Sequence, residues 1–302
     1  MYLFSMPDGY AIRTLNKAVL YALKEHPDWF YDDFQIETAY GCPALCIWNG
    51  NRIELVSMNM ENWQEIIQTY TEFNIRYRLT FTNFLLQPEH LYDTYANAVA
   101  AELDEVGGYV MVSTPLMANY MRRYPNLKVC WSTTTDFGKG QQEIIDKINE
   151  LSENALVVLP YEFNNKPELD KFIHPENLEV LVNEFCIDNC PRRREHWTEC
   201  NKRALYQKIE SDLECFFNSQ YGFVKEKGGH RHHIDREMLE DYTRRGINHF
   251  KISGRLDIKQ AALAYFEYFV RREHYQSLTE FFVECNNTNF GKGWEEKEED
   301  GK

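Results

Sequence analysis

Residues 108–133 read GYVMVSTPLMANYMRRYPNLKVCWST. The run at 108–113 is short, apolar and rich in valine, and reads as a strand; a helix fits 115–123, and a second strand fits 127–133. Both strands end in hydroxyls, Ser113-Thr114 and Ser132-Thr133-Thr134. Strand, helix and strand at this spacing make one parallel β/α unit.

The same rhythm extends in both directions. Downstream, 141–152 is helical, 155–160 (ALVVLP) is a strand and 165–173 a short helix. A strand at 178–184 follows, with a helix over about 200–216. Residues 220–225 (QYGFVK) form a weaker seventh strand, 235–245 a helix, and 247–252 (INHFKI) a final strand ending in Ser253-Gly254-Arg255. A long C-terminal helix fits 257–273. Upstream, 11–29 places Leu15, Val19, Leu20 and Leu23 on one helical face. Residues 34–40 (FQIETAY) read as the first strand, broken by Gly41-Cys42-Pro43, with Cys46 in the loop or hairpin that follows. A helix at 60–73, a strand at 75–83 and a helix at 88–105 complete the series.

About eight strands alternating with helices predict an α/β fold, a (β/α)8-type barrel with a long C-terminal helix. The barrel is expected to occupy 1–290 as one domain, with 291–302 as an acidic disordered tail. An open doubly wound sheet is the alternative, but no GxGxxG follows the first strand. In a barrel, the polar strand ends Thr82-Asn83, Ser113-Thr114, Ser132-Thr134 and Asn183-Glu184 all lie on the face where active sites are built.

The chain has 302 residues, 43% of them hydrophobic and 15% aromatic, and a net charge of −14. That content suits a folded globule. The charge disfavours a surface built to coat nucleic acid; Arg192-Arg193-Arg194 is the local basic patch through which RNA would have to bind. No apolar run is long enough to span a membrane, and the N-terminus lacks a signal-peptide pattern, so a cytoplasmic location is expected. There, eight cysteines are expected as thiols or ligands rather than disulfides.

The chemistry concentrates in 178–200, LEVLVNEFCIDNCPRRREHWTEC. A strand runs into a loop with Cys186, Cys190 and Cys200, three arginines and His196. Thiolates are the ligands of iron–sulfur clusters, usually four together; Cys215 on the following helix, or Cys42 at the end of an early strand, supplies the fourth. A structural zinc is the next reading, and packed cysteines beside a solvated arginine run the plainest. The candidate catalytic residues are Glu162, Glu184, Lys251 and Arg255, all at strand ends. The two glutamates suit acid–base work if burial raises their pKa, or serve as ion partners of Arg255. Arg255 suits a carboxylate or phosphate, which points to a small or anionic substrate. His230, His232 and His233 precede Asp235, a helix cap, and offer a second metal or anion site or an exposed loop. Cys130 reads as core and Cys285 has no assigned role. A peptidase is disfavoured, since no HExxH or GxSxG occurs and nothing in the spacing orients a base beside Cys186.

Several of these segments resemble the U-thirty-two (collagenase-like) peptidase family. The strands YVMVS and KVCWST, the strand ALVVLP with Glu162, the cysteine-bearing 178–200 and GINHFKISGR at 246–255 follow in the family's order over about 105–272. The last is similar to the family's GI-x-x-F-K-I-E-G-R. The resemblance implies a β/α barrel, often distorted, and a group that includes oxygen-independent hydroxylation proteins acting on RNA or ubiquinone precursors. It implies a 4Fe-4S cluster on four cysteines, although Cys186 and Cys190 are closer together than the family's first pair.

Overall fold

The computed structural model describes residues 1–50, 60–184, 186, 190–207, 232–254 and 258–287. Its centre is a closed barrel of eight parallel strands in chain order. They are β1 (Tyr2–Met6), β2 (Phe34–Gly41), β3 (Arg76–Phe81), β4 (Gly108–Val112), β5 (Leu127–Trp131), β6 (Leu156–Val158), β7 (Leu178–Leu181) and β8 (His249–Lys251). The helices among the described residues are α1 (Arg13–Glu25), α2 (Met60–Glu72), α3 (Thr94–Val106), α4 (Pro115–Met121), α5 (Gln141–Ser152), α6 (Arg193–Tyr206), α7 (Leu239–Arg244), α8 (Ile258–Tyr268) and α9 (Tyr275–Asn287). The α/β barrel expected from the sequence is therefore the fold.

Period-2 alternation builds it. Successive strand residues point to opposite faces, and here the outward set is apolar. Tyr77, Leu79 and Phe81 of β3, Val110 and Val112 of β4, Leu178 and Val180 of β7 and Phe250 of β8 belong to one large buried cluster shared with the helices. The inward residues of β4 to β7 include Met111, Cys130, Val158 and Leu181, which form a separate small cluster with Tyr161 inside the barrel.

Three expectations are corrected. The first strand is Tyr2–Met6, not 34–40; β1 pairs with both β2 and β8 and closes the ring. It is short and follows directly on the initial Met, so no turn signal marks its start. The weak strand at 220–225 lies outside the described residues, as do the acidic tail 291–302, Cys215, His230 and Arg255, and the ring of eight is complete without it. The C-terminal helix expected over 257–273 ends at Tyr268; a bridge of Val270 to Phe30 and a 3-10 turn at Arg272–His274 follow, and α9 comes after them. The helix placed at about 200–216 starts at Arg193, so Arg193, Arg194, His196 and Cys200 are on a helix, with Arg192 in the turn before it. The barrel also departs from a regular repeat between β6 and β7. The link consists of 3-10 turns at Tyr161–Phe163, Pro167–Lys171 and Pro175–Asn177, two of them opened by proline. Proline at the first position suits a helix start and supplies no N–H to extend one backwards.

Candidate active site in the barrel lumen

In the usual β/α barrel, branched apolar side chains fill the interior. Here β3 and β7, on opposite sides of the ring, send in Arg78 and Glu179. Arg78 Nη1 donates to Glu179 Oε2 at 2.6 Å, with both side chains at most 1% exposed. The pair is a strut across the lumen. Glu179 Oε1 accepts from the Ser5 hydroxyl of β1 at 2.6 Å, and Ser5 Oγ lies 2.7 Å from Thr38 Oγ1 of β2. Burial alone would raise the Glu179 carboxyl, but Arg78, Lys251 and the Ser5 hydroxyl overcome it and hold it near 2. Burial opposes the charge on Arg78 too, yet Glu179 keeps it firmly protonated.

Lys251 lies two residues beyond His249, the register partner of Glu179, towards the C-terminal mouth. It is 6% exposed. Its Nζ sits 3.1 Å from the centre of the Tyr40 ring and has no hydrogen-bond partner among the described residues. Tyr40 is fixed in turn, its hydroxyl donating to the Ile252 carbonyl at 2.6 Å. Burial pushes the Lys251 ammonium down strongly, Glu179 and Asp8 pull it back, Arg78 pushes down, and the balance lies at about 7. The Cys130 thiol beside this group is pushed up to about 11, mainly by burial. It is not a ready nucleophile, in line with its reading as core.

At the opposite end, a register shift between Phe4 and Ser5 gives β2 an extra residue against β1. Such a bulge re-aims a side chain. Glu37 meets His249 Nδ1 at 3.2 Å, Arg76 at 3.8 Å and the Tyr109 hydroxyl at 3.3 Å. Burial works against its charge, and His249 and Arg78 lower its pKa on balance.

The C-terminal mouth is roofed by α6. Arg193 at its start pairs with Glu162 after β6, its guanidinium 4.1 Å from the Tyr161 ring centre. Arg194 lies 4.0 Å from the Phe84 ring centre, after β3. Further along, buried Asn201 accepts from Phe84 N (2.6 Å) and donates to the Gly50 carbonyl (3.0 Å), while Asn83 donates to its backbone carbonyl. Gly50 itself packs on the backbone after β3, where a Cβ would come within 2.3 Å of the Thr82 carbonyl oxygen. The three consecutive arginines therefore serve different neighbours, since Arg192 pairs with Glu195 at the surface.

The predicted site residues are distributed as follows. Lys251 is in the lumen. Glu162 is held by Arg193 at the mouth. Glu184 is buried and accepts from the Cys186 backbone N–H at 2.9 Å. Cys186 is half-buried and packs on the lumen cluster; Cys190 is half-buried before α6, and Cys200 is buried on α6. Cys42 and Cys46 are both buried after β2. The sulfurs of Cys186, Cys190 and Cys200 do not all lie within 4.8 Å of one another; among the described residues His233, Asp235 and Glu267 are the group that does. Thiols are the donor type that both a zinc ion and an iron–sulfur cluster take. His233 Nε2 lies 2.9 Å from Glu267 and 3.3 Å from Asp235, an ion-pair arrangement on the outside of the barrel. His232 is buried beneath it, 4.9 Å from the Tyr161 ring.

Sequence reading missed Arg78 and Glu179. The signal was present: the second of two arginines in RYRLTF, in mid-strand, and one glutamate in LEVLV, each at an inward position. Two charges inside strands must pair or be neutralised.

No family model matches the chain, and no curated protein matches it. No described helix is long and apolar enough to cross a membrane. Among solved structures, the chain is similar to the U32 peptidase Mk0906, at 12% identity over 83% of this chain and 92% of that one, with a TM-score of 0.50. At this identity the likeness is one of fold and carries no activity across: the chain has the β/α-barrel architecture found in that U32 peptidase.

Proposed function

We propose that the chain is an enzyme acting on a small anionic molecule in the lumen and mouth of its barrel, with Lys251 giving and taking the proton. The observation that supports this is the buried Lys251 amine, without a hydrogen-bond partner among the described residues and poised at about 7. An amine that changes charge near neutrality is matched to acid–base work, and perturbed lysines concentrate at functional sites. Tyr40 and Ile252 orient it, and the Arg78–Glu179 strut supplies the fixed charges around it. Observing the Nζ resonance by NMR, assigned by its loss in Lys251→Met, tests this. A midpoint near 7 supports the role; a midpoint near the ordinary 10.5 removes it.

A second reading adds a redox group. Cys186 packs against the lumen cluster, and Cys200 rides on the helix that roofs it. With Cys190, and with Cys215 or Cys42 as fourth ligand, these thiols suit a 4Fe-4S cluster at the mouth. When bound, such a cluster supplies one-electron chemistry, consistent with the oxygen-independent hydroxylation that the family resemblance implies. Anaerobic purification should then yield about four iron and four sulfide per chain. Cys190→Ala should lose them, and stoichiometric metal retained in that variant would sink the assignment.

A further inference from the structure

Arg78 uses only one of its three nitrogens. Nη1 engages Glu179, while Nε and Nη2, both buried, have no hydrogen-bond partner among the described residues. These two nitrogens share one edge of the guanidinium. That edge is the fork whose parallel N–H groups match two oxygens of a carboxylate or phosphate. Buried donors are normally satisfied, so a guanidinium edge without a protein partner suits an acceptor brought by a ligand. The Lys251 Nζ is a further buried donor without a partner in the same lumen. Glu179 lies between the two basic side chains, with Glu37 and Asp8 as further acidic neighbours of Arg78 and Lys251.

We propose that the lumen binds an oxyanion, a carboxylate or phosphate group of the substrate, on the Nε/Nη2 edge of Arg78 with Lys251 beside it. The inference deepens the preceding proposal by naming the substrate's recognised group, and it rests on the lumen being the site. The groups facing Lys251 are Glu179 from β7, Arg78 from β3, Cys130 from β5, Tyr40 from β2 and Asp8 after β1. An anion placed among them favours the charged amine. Binding at pH 8 is therefore coupled to proton uptake by Lys251.

Isothermal titration of the full chain with acetate, pyruvate and inorganic phosphate at pH 8, in two buffers of different ionisation enthalpy, tests this. Saturable binding of at least one probe with proton uptake is expected. Arg78→Lys keeps the charge but loses the fork, and should weaken binding about tenfold or more. Lys251→Met should retain measurable binding but lose the proton uptake, which keeps the test available if the Arg78 variant does not fold. Tighter binding of phosphate than of both carboxylates assigns a phosphorylated substrate; the reverse assigns a carboxylic acid. No saturable binding of any probe, or binding unaltered in Arg78→Lys, overturns the inference. Anion binding with an Lys251 NMR midpoint near 10.5 would instead retain the anion site and remove the acid–base role, so the two failures are distinguishable.

Discussion

The lumen of this barrel and the layer between barrel and helices are built from the same strands on opposite physical terms. In the outer layer, Leu79, Val110, Val180 and Phe250 are fully buried among aromatic and aliphatic neighbours. Phe250 alone packs against Tyr2, Phe4 and Tyr242. Stability there comes from apolar area removed from water, at roughly 25 cal/mol per Å2. Inside, Arg78, Glu179 and Lys251 are just as buried but charged or nearly so. Desolvation there opposes attraction, and such pairs seldom stabilise more than an apolar filling would. Three ionisable groups stand here where a barrel ordinarily keeps valines, and the proposed function would use them. Unsatisfied donors on Arg78 and Lys251 point the same way, since function is where local rules are broken.

Removing one half of the strut is the severest way to break the comparison. Glu179→Ala leaves Arg78 buried with its charge uncompensated, and should cost about 3–5 kcal/mol in urea unfolding. The double variant Glu179→Leu with Arg78→Met should recover most of that loss and abolish ligand binding. A double variant as unstable as the single one would show that the strut stabilises the fold outright. In the outer layer, Leu79→Ala should cost about 2–5 kcal/mol through lost burial and the cavity left behind. It should not restore anything when paired with a second truncation, because no charge is stranded.

The lumen should also make stability depend on pH, as the apolar layer cannot. Lys251 has a folded pKa of about 7, below its ordinary 10.5. Between those values the unfolded chain binds more protons, so stability rises with pH across the window and its penalty is full below about 7. Urea midpoints from pH 6.5 to 10 should show the rise, and Lys251→Met should flatten it. Glu179, held near 2 against an ordinary 4.5, contributes stability above that range which is lost as pH falls through it. The smallest effect is expected at the surface: Arg192→Ala breaks only the exposed pair with Glu195, and should change stability by about 0.5 kcal/mol or less.

The fold was largely legible because β/α units are written locally. The helix at 141–152 and the strand at 108–112 follow from spacing within one segment. β1 escaped because five residues after the first Met carry no helix before them to set a rhythm. The start of α6 escaped because three arginines and His196 look like a solvated loop. Nothing local shows that Arg193 will reach Glu162, or that Asn201 will reach Gly50, 151 residues away. Lys251 was named from its place at a strand end, but its state was not, because a lysine becomes poised near neutrality only where burial and neighbouring charges require it.

The amino-acid sequence by itself determined the alternation of strands and helices and the apolar character of alternate strand positions. Those depend on backbone periods of 2 and 3.6 residues, which any short segment displays. Only the tertiary structure decided that Arg78 meets Glu179 across 101 residues of chain, that Tyr40 caps Lys251, and that α6 closes the mouth. Register, ring closure and the dielectric of the interior belong to the assembled barrel, and they set the chemistry of the charges it encloses.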